Sequence, residues 1–135
     1  KSEIFKNKLV AKILKRYRVF PVNRKERDVK STLHAIECLN LENNSKLLIF
    51  PEGGIIKDSK EIRKKVKNGA VYISAESGVE ILPIFITRRP HIFQKVYVII
   101  GNSINIPKEI KHDKEKIKEY STKVINNIYD LEKIK

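Results

Sequence analysis

A carboxylate followed by two glycines closes an apolar run in Leu47-Leu48-Ile49-Phe50-Pro51-Glu52-Gly53-Gly54. A continuous apolar run of this kind is the pattern of a strand buried on both faces, and open α/β sheets bind ligands beyond the carboxyl ends of such strands. Glu52 supplies acceptor oxygens. Gly53 and Gly54 let backbone N–H groups approach an anion or polar head with no Cβ in the way. An ordinary strand-to-loop turn with an exposed Glu fits the same residues, and the segment alone supports both readings.

Two further groups could hold an anion. Arg24 ends Phe20-Pro21-Val22-Asn23-Arg24, a short extended run, and its guanidinium fork suits a phosphate monoester. Taken alone, beside Lys25 and Arg27, it reads more readily as a solvated cation. Lys67 opens Lys67-Asn68-Gly69-Ala70, at the start of a small-residue helix whose free N–H groups favour an anion. His34 and Cys38 stand four apart on one helical face, but two soft ligands without a third describe a packed helix better than a metal site. His91 and His112 have no partner at a diagnostic spacing. No GxSxG, Walker loop, GxGxxG or HExxH occurs.

The elements that would position these residues alternate between helix and strand. An amphipathic helix is predicted over 1–17, with Phe5, Leu9, Val10, Ile13, Leu14 and Tyr17 apolar and Lys1, Lys8, Lys12 and Lys15 on the opposite stripe. Val19 to Val22, interrupted by Pro21, reads as an edge strand or extended loop. Asp28 would cap a second helix with Val29, Leu33, Ile36 and Leu41 as its apolar set. Leu47–Phe50 is predicted to be a buried parallel strand. Gly69 to Ser77 follows as a helix stopped by Gly78, then strands at Ile81–Ile86 and Val96–Ile100, a short Ile104–Ile106 piece, and a helix from Asp113 with Ile117, Tyr120, Val124, Ile128 and Leu131 on one face. The fold class is α/β, with a mixed, mainly parallel sheet flanked by helices in a single domain over residues 1–135.

Composition narrows the function classes. At 135 residues with 41% hydrophobic content and five each of Pro and Gly, the chain is neither disordered nor fibrous. One cysteine excludes a disulfide scaffold and a Cys-built metal site. No run approaches the ~18 apolar residues of a membrane span, and no signal peptide opens the chain. The net charge of +13 suits nucleic acid, an anionic membrane or an anionic substrate. It also fits a compositional habit, because 22 of the 29 cations are Lys. Lys1 in first place and the lack of Met imply a missing natural N-terminus.

The ordered set of blocks resembles the glycerolipid acyltransferases of the 1-acyl-glycerol-3-phosphate acyltransferase (PlsC-type) family. Phe20-Pro21-Val22-Asn23-Arg24 looks like that family's second block, Phe50-Pro51-Glu52-Gly53 like its third, and Ile81-Leu82-Pro83-Ile84-Phe85-Ile86 like its fourth. Lys67-Asn68-Gly69-Ala70, Ala75-Glu76-Ser77-Gly78-Val79 and Val96 to Gly101 match the stretches between and after, so the resemblance covers about residues 1–107. The first block, His-x-x-x-x-Asp, has no counterpart here, since Leu39, Val96 and Ile117 stand five positions after His34, His91 and His112. In the family that His is the general base and the Asp orients it. The resemblance therefore implies the C-terminal part of an acyltransferase domain, inactive by itself, with no catalytic residue in this chain and Glu52 as support. Gly54 stands where Thr or Ser is usual, and Ile55 where Arg is common, which bears on the acceptor more than on the reaction.

What the family does then gives the expected reaction: a fatty acyl group moves from a thioester, on coenzyme A or acyl carrier protein, to a lysophospholipid hydroxyl, as in 1-acyl-glycerol-3-phosphate to phosphatidic acid. Arg24 would anchor the phosphate and Lys67 would be a second cation. Glu52, Gly53 and Gly54 would shape the acceptor site, and Pro83 would be structural, supporting the acyl channel. No cofactor and no metal is expected, with the acyl thioester as co-substrate. The expected partners are the lysophospholipid and an anionic membrane surface rather than nucleic acid. The expected location is the cytoplasmic side of the membrane, peripheral or anchored through the missing part. Two other readings stay open: a basic α/β module binding nucleic acid, which lacks a stacking set or a recognition helix, and a non-enzymatic membrane-surface module using the first helix.

Overall fold

A computed structural model of the chain describes residues 7–16, 19, 29–41, 44–53, 66–87 and 93–134. They fall in two compact units, Lys1–Leu47 and Leu48–Lys135.

The first unit holds α1 (Lys8–Arg16) and α2 (Val29–Asn40). Asn7 starts α1, its Oδ1 accepting from the N–H of Leu9 at 3.0 Å and of Val10 at 3.4 Å. That placement uses an otherwise orphan pair of helix donors. Of the helix expected over 1–17, residues 1–6 and 17 lie outside the described residues, as does the expected cap Asp28. The apolar stripes differ from the predicted ones. Leu9 and Ile13 are exposed on α1, as are Val29, Leu33 and Leu41 in and after α2, while Ala35 and Leu39 are the buried pair of α2. A 3.6-residue period admits more than one apolar stripe, and the neighbour against which a helix packs selects among them. Of Val19–Val22 only Val19 is described, exposed and outside any element.

The second unit is built around α3 (Gly69–Ser77), a two-stranded antiparallel sheet of β1 (Ile84–Ile86) and β2 (Val98–Ile100), and α4 (Lys114–Asp130). Two 3₁₀ turns, Lys108–His112 and Leu131–Ile134, flank α4. α3 ends as its sequence predicts: Gly78 adopts φ +74° and donates its N–H to the Ser74 carbonyl at 2.8 Å. A left-handed residue here costs Gly little and other residues about 1 kcal/mol or more. Asp113 caps α4 in the predicted place, accepting from the N–H of Glu115 and Lys116, both at 3.0 Å. The core joins α3, the 3₁₀ turn and α4 through Val71, Ala75, Ile106, Ile110, Ile117 and Val124.

In the sheet, Ile84 faces Ile100, Phe85 faces Ile99 and Ile86 faces Val98. Gly101 donates to the Pro83 carbonyl at 2.9 Å, and Ile81 and Ile104 exchange hydrogen bonds of 3.0 and 2.8 Å. Three steps from Gly101 to Ile104 therefore oppose two from Pro83 to Ile81, which is a β-bulge. Helices and strands are both present, but the described sheet is two-stranded and antiparallel, and the mainly parallel sheet expected from the sequence is not seen among the described residues. The largest departure concerns Leu47–Phe50. It belongs to no strand, and Leu48 is 76% and Phe50 63% exposed. Among the described residues no strand pairs with it, and exposure alternates along 45–50, with Leu48 and Phe50 on the exposed side, as in an extended segment covered on one face. Among the described residues no helix is long and apolar enough to cross a membrane.

Candidate functional site

The Phe50-Pro51-Glu52-Gly53 segment folds as a β-turn, with the Gly53 N–H donating to the Phe50 carbonyl at 3.1 Å. Pro51 supplies the fixed φ that the second position of such a turn favours. Gly53 then turns to φ +68°, in the left-handed region, and redirects the chain. A Cβ at Gly53 would lie 3.1 Å from Lys67 Cγ and 3.4 Å from its Cε. The aliphatic stem of Lys67 thus crosses the turn, and the sequence-predicted Glu52, Gly53 and Lys67 come together although the chain between them runs through a polar connection.

The carboxylate is fixed from a distant element. Tyr129, on α4, donates its hydroxyl to Glu52 Oε1 at 3.0 Å. The phenol ring meets Phe85 of β1 edge-on, with centroids 5.8 Å apart and planes at 71°, a favourable aromatic geometry. Burial, and then the Glu52 carboxylate by its charge and its hydrogen bond, push the Tyr129 phenol well above its usual range, with Glu132 adding to this. Tyr129 is accordingly a neutral donor at physiological pH. One Glu52 oxygen is oriented by it, while a carboxylate has acceptor capacity on both oxygens. β1 is itself held from below: Pro83 is buried, and a Cβ on Gly101 would meet Pro83 Cγ at 3.2 Å and Leu131 Cδ2 at 3.1 Å. Pro83 is thus packed between Gly101 and its surroundings, with Leu131 against the same glycine.

Sequence reasoning missed Tyr129. Its signal was the i, i+4 relation to Ile125, a second buried stripe beside the Ile117–Val124–Leu131 face. Arg24 and Gly54, the other expected site residues, lie outside the described residues, as do His91 and the Lys57–Lys65 connection. His34 Nε2 and Cys38 Sγ approach to 3.6 Å on α2. Among the described residues no cluster of three or more His, Cys, Asp or Glu could hold a metal. A shallow, open depression on α4 between Glu115, Glu119, Lys123 and Asn126 mixes both charge signs and contains none of the turn residues.

The turn thus carries a carboxylate oriented by Tyr129, with acceptor capacity left on it, and the Lys67 stem packed across Gly53. No curated protein and no solved structure matches the chain. The family model described as Acyltransferase matches residues 1–87, which include Glu52, Gly53 and Lys67 and end just after β1. The chain therefore belongs to the acyltransferase family, and acyl transfer is the chemistry it serves.

Proposed function

We propose that the chain forms the acceptor side of a glycerolipid O-acyltransferase of the PlsC type, in which a fatty acyl group passes from acyl-CoA or acyl carrier protein to a lysophospholipid hydroxyl. The observation that carries this reading is the Glu52-Gly53 turn crossed by Lys67, within a segment matched by the acyltransferase family. An acyl thioester is already activated, so the protein must supply a base, an anchor for the acceptor and stabilisation for the oxyanion. Arg24 and Lys67 anchor the phosphate of 1-acyl-glycerol-3-phosphate, and Glu52 accepts from a glycerol hydroxyl. No His in the chain has Asp five positions later, so the base comes from a His-x-x-x-x-Asp pair outside these 135 residues. The partners are the lysophospholipid, the acyl thioester and an anionic membrane surface on the cytoplasmic side, and the product feeds phospholipid synthesis.

Arg24→Ala, introduced beside an intact His-x-x-x-x-Asp pair, raises the acceptor KM at least tenfold, since a charged hydrogen-bonded contact is worth about 1.5–3 kcal/mol. An unchanged KM removes Arg24 from the phosphate site. A chain that binds duplex DNA tightly and ignores the lysophospholipid contradicts the reading as a whole.

A further inference from the structure

Two unlike stripes of α1 face outward. At about 100° per residue, positions four apart fall within about 40° of each other on a helix surface. Leu9 and Ile13 form one such stripe, 70% and 53% exposed. Lys8, Lys12 and Arg16, all exposed, form the adjoining one. Val10, Ala11 and Leu14 supply the other side of the helix and are half-buried. A nine-residue helix is marginal by itself in water, so packing through Val10 and Leu14 decides which stripes are left outside. α1 contains no acidic residue, and nothing within it offsets the cations.

Single exposed aliphatics are common on protein surfaces, but a pair one turn apart beside a row of cations is the pattern of a helix that lies in a membrane interface. A second copy of the chain is a poor occupant. Two such faces would bring their cations together, and each copy carries a net charge of +13. Nucleic acid would use the cations and leave Leu9 and Ile13 in water. An anionic bilayer accepts both stripes. The aliphatic pair enters the boundary between headgroups and acyl chains, while the long stems of Lys8, Lys12 and Arg16 carry their charges to the lipid phosphates. We propose that α1 is a docking surface for an anionic lipid bilayer, with Leu9 and Ile13 inserted and Lys8, Lys12 and Arg16 held at the headgroups. The purpose of this contact rests on the reading of the acceptor as a membrane lipid; its test does not.

The chain has no Trp, so Leu9→Trp gives a single reporter. With mixed phosphatidylglycerol–phosphatidylcholine vesicles, its emission moves to shorter wavelength and is quenched by brominated phosphatidylcholine in the same vesicles; phosphatidylcholine alone gives neither. Leu9→Gln combined with Ile13→Gln lowers partitioning into the mixed vesicles at least about tenfold, as loss of two inserted aliphatic side chains requires. The thermal midpoint of that variant is unchanged, because both positions are exposed. Lys12→Gln lowers partitioning about fivefold in low salt and less as salt is raised. Vesicle binding that leaves the emission of the Leu9→Trp variant unmoved, together with an unaffected double Gln variant, overturns the proposal and moves the contact elsewhere, leaving the acyl-transfer reading untouched. Absence of vesicle binding overturns it as well. So does a blue shift that grows with protein concentration in the absence of lipid, which identifies a second copy as the occupant. An emission change produced by duplex DNA and not by vesicles overturns it in favour of nucleic acid. The acyl-transfer reading is tested separately by acceptor titration in solution.

Discussion

Leu48–Lys135 and Lys1–Leu47 differ in how their helices use apolar residues. In the former, α3 and α4 close on a continuous cluster from Val71 to Val124, with Ile125 only 1% exposed. In the latter, Ala35 and Leu39 are the buried apolar residues among those described, and Leu9, Ile13, Val29, Leu33 and Leu41 face outward. The family match covers residues 1–87 and so takes in the sparse unit and the front of the packed one. The parts that hold Glu52 and β1 in place, Tyr129 and Leu131, come from beyond it. Motif residues and the scaffold that orients them are thus drawn from different stretches of chain.

The contrast is sharpest in core truncations. Ile125→Ala costs about 2–5 kcal/mol, read as a lower denaturation midpoint, because a fully buried side chain leaves a cavity. Ile13→Ala, at an exposed helical position, changes stability by less than about 0.5 kcal/mol. Equal losses would show that α1 is buried and erase the distinction. Tyr129→Phe has the next largest effect, about 1 kcal/mol in chemical denaturation, by removing the donor to Glu52.

The same variant carries a pH signature. The Tyr129 phenol titrates higher in the folded chain than its ordinary 10.0, so its contribution is complete below pH 10.0 and is lost as pH rises from there toward the folded value. Thermal midpoints followed above pH 10 fall more steeply for the parent than for Tyr129→Phe. Parallel curves would remove burial and Glu52 as the cause. Asp113→Ala, which deletes the cap of α4, costs about 1 kcal/mol and frays the first turn by amide exchange.

Local chemistry was legible in the sequence and long-range packing was not. Gly78 and Asp113 announce the end of α3 and the start of α4, because a left-handed stop and a side-chain cap involve only their own few residues. The association of Glu52, Gly53 and Lys67 followed from ordered blocks, and the turn geometry adds that Lys67 crosses Gly53. Leu47–Phe50 reads as a buried strand from its apolar content, yet burial requires a neighbour on each face, and that information lies outside the segment. The apolar stripes of α1 and α2 were misassigned for the same reason. Tyr129 is separated from Glu52 by 77 residues, and no local pattern reports such a pairing.

The most direct test of the acceptor site is calorimetric titration of the chain with 1-acyl-glycerol-3-phosphate below its micelle concentration, with the phosphate-free monoacylglycerol as control. The account predicts binding that weakens about tenfold for Lys67→Ala and for Glu52→Gln, and at least tenfold for the control lipid. Equal affinity for both lipids, or variants indistinguishable from the parent, would contradict it.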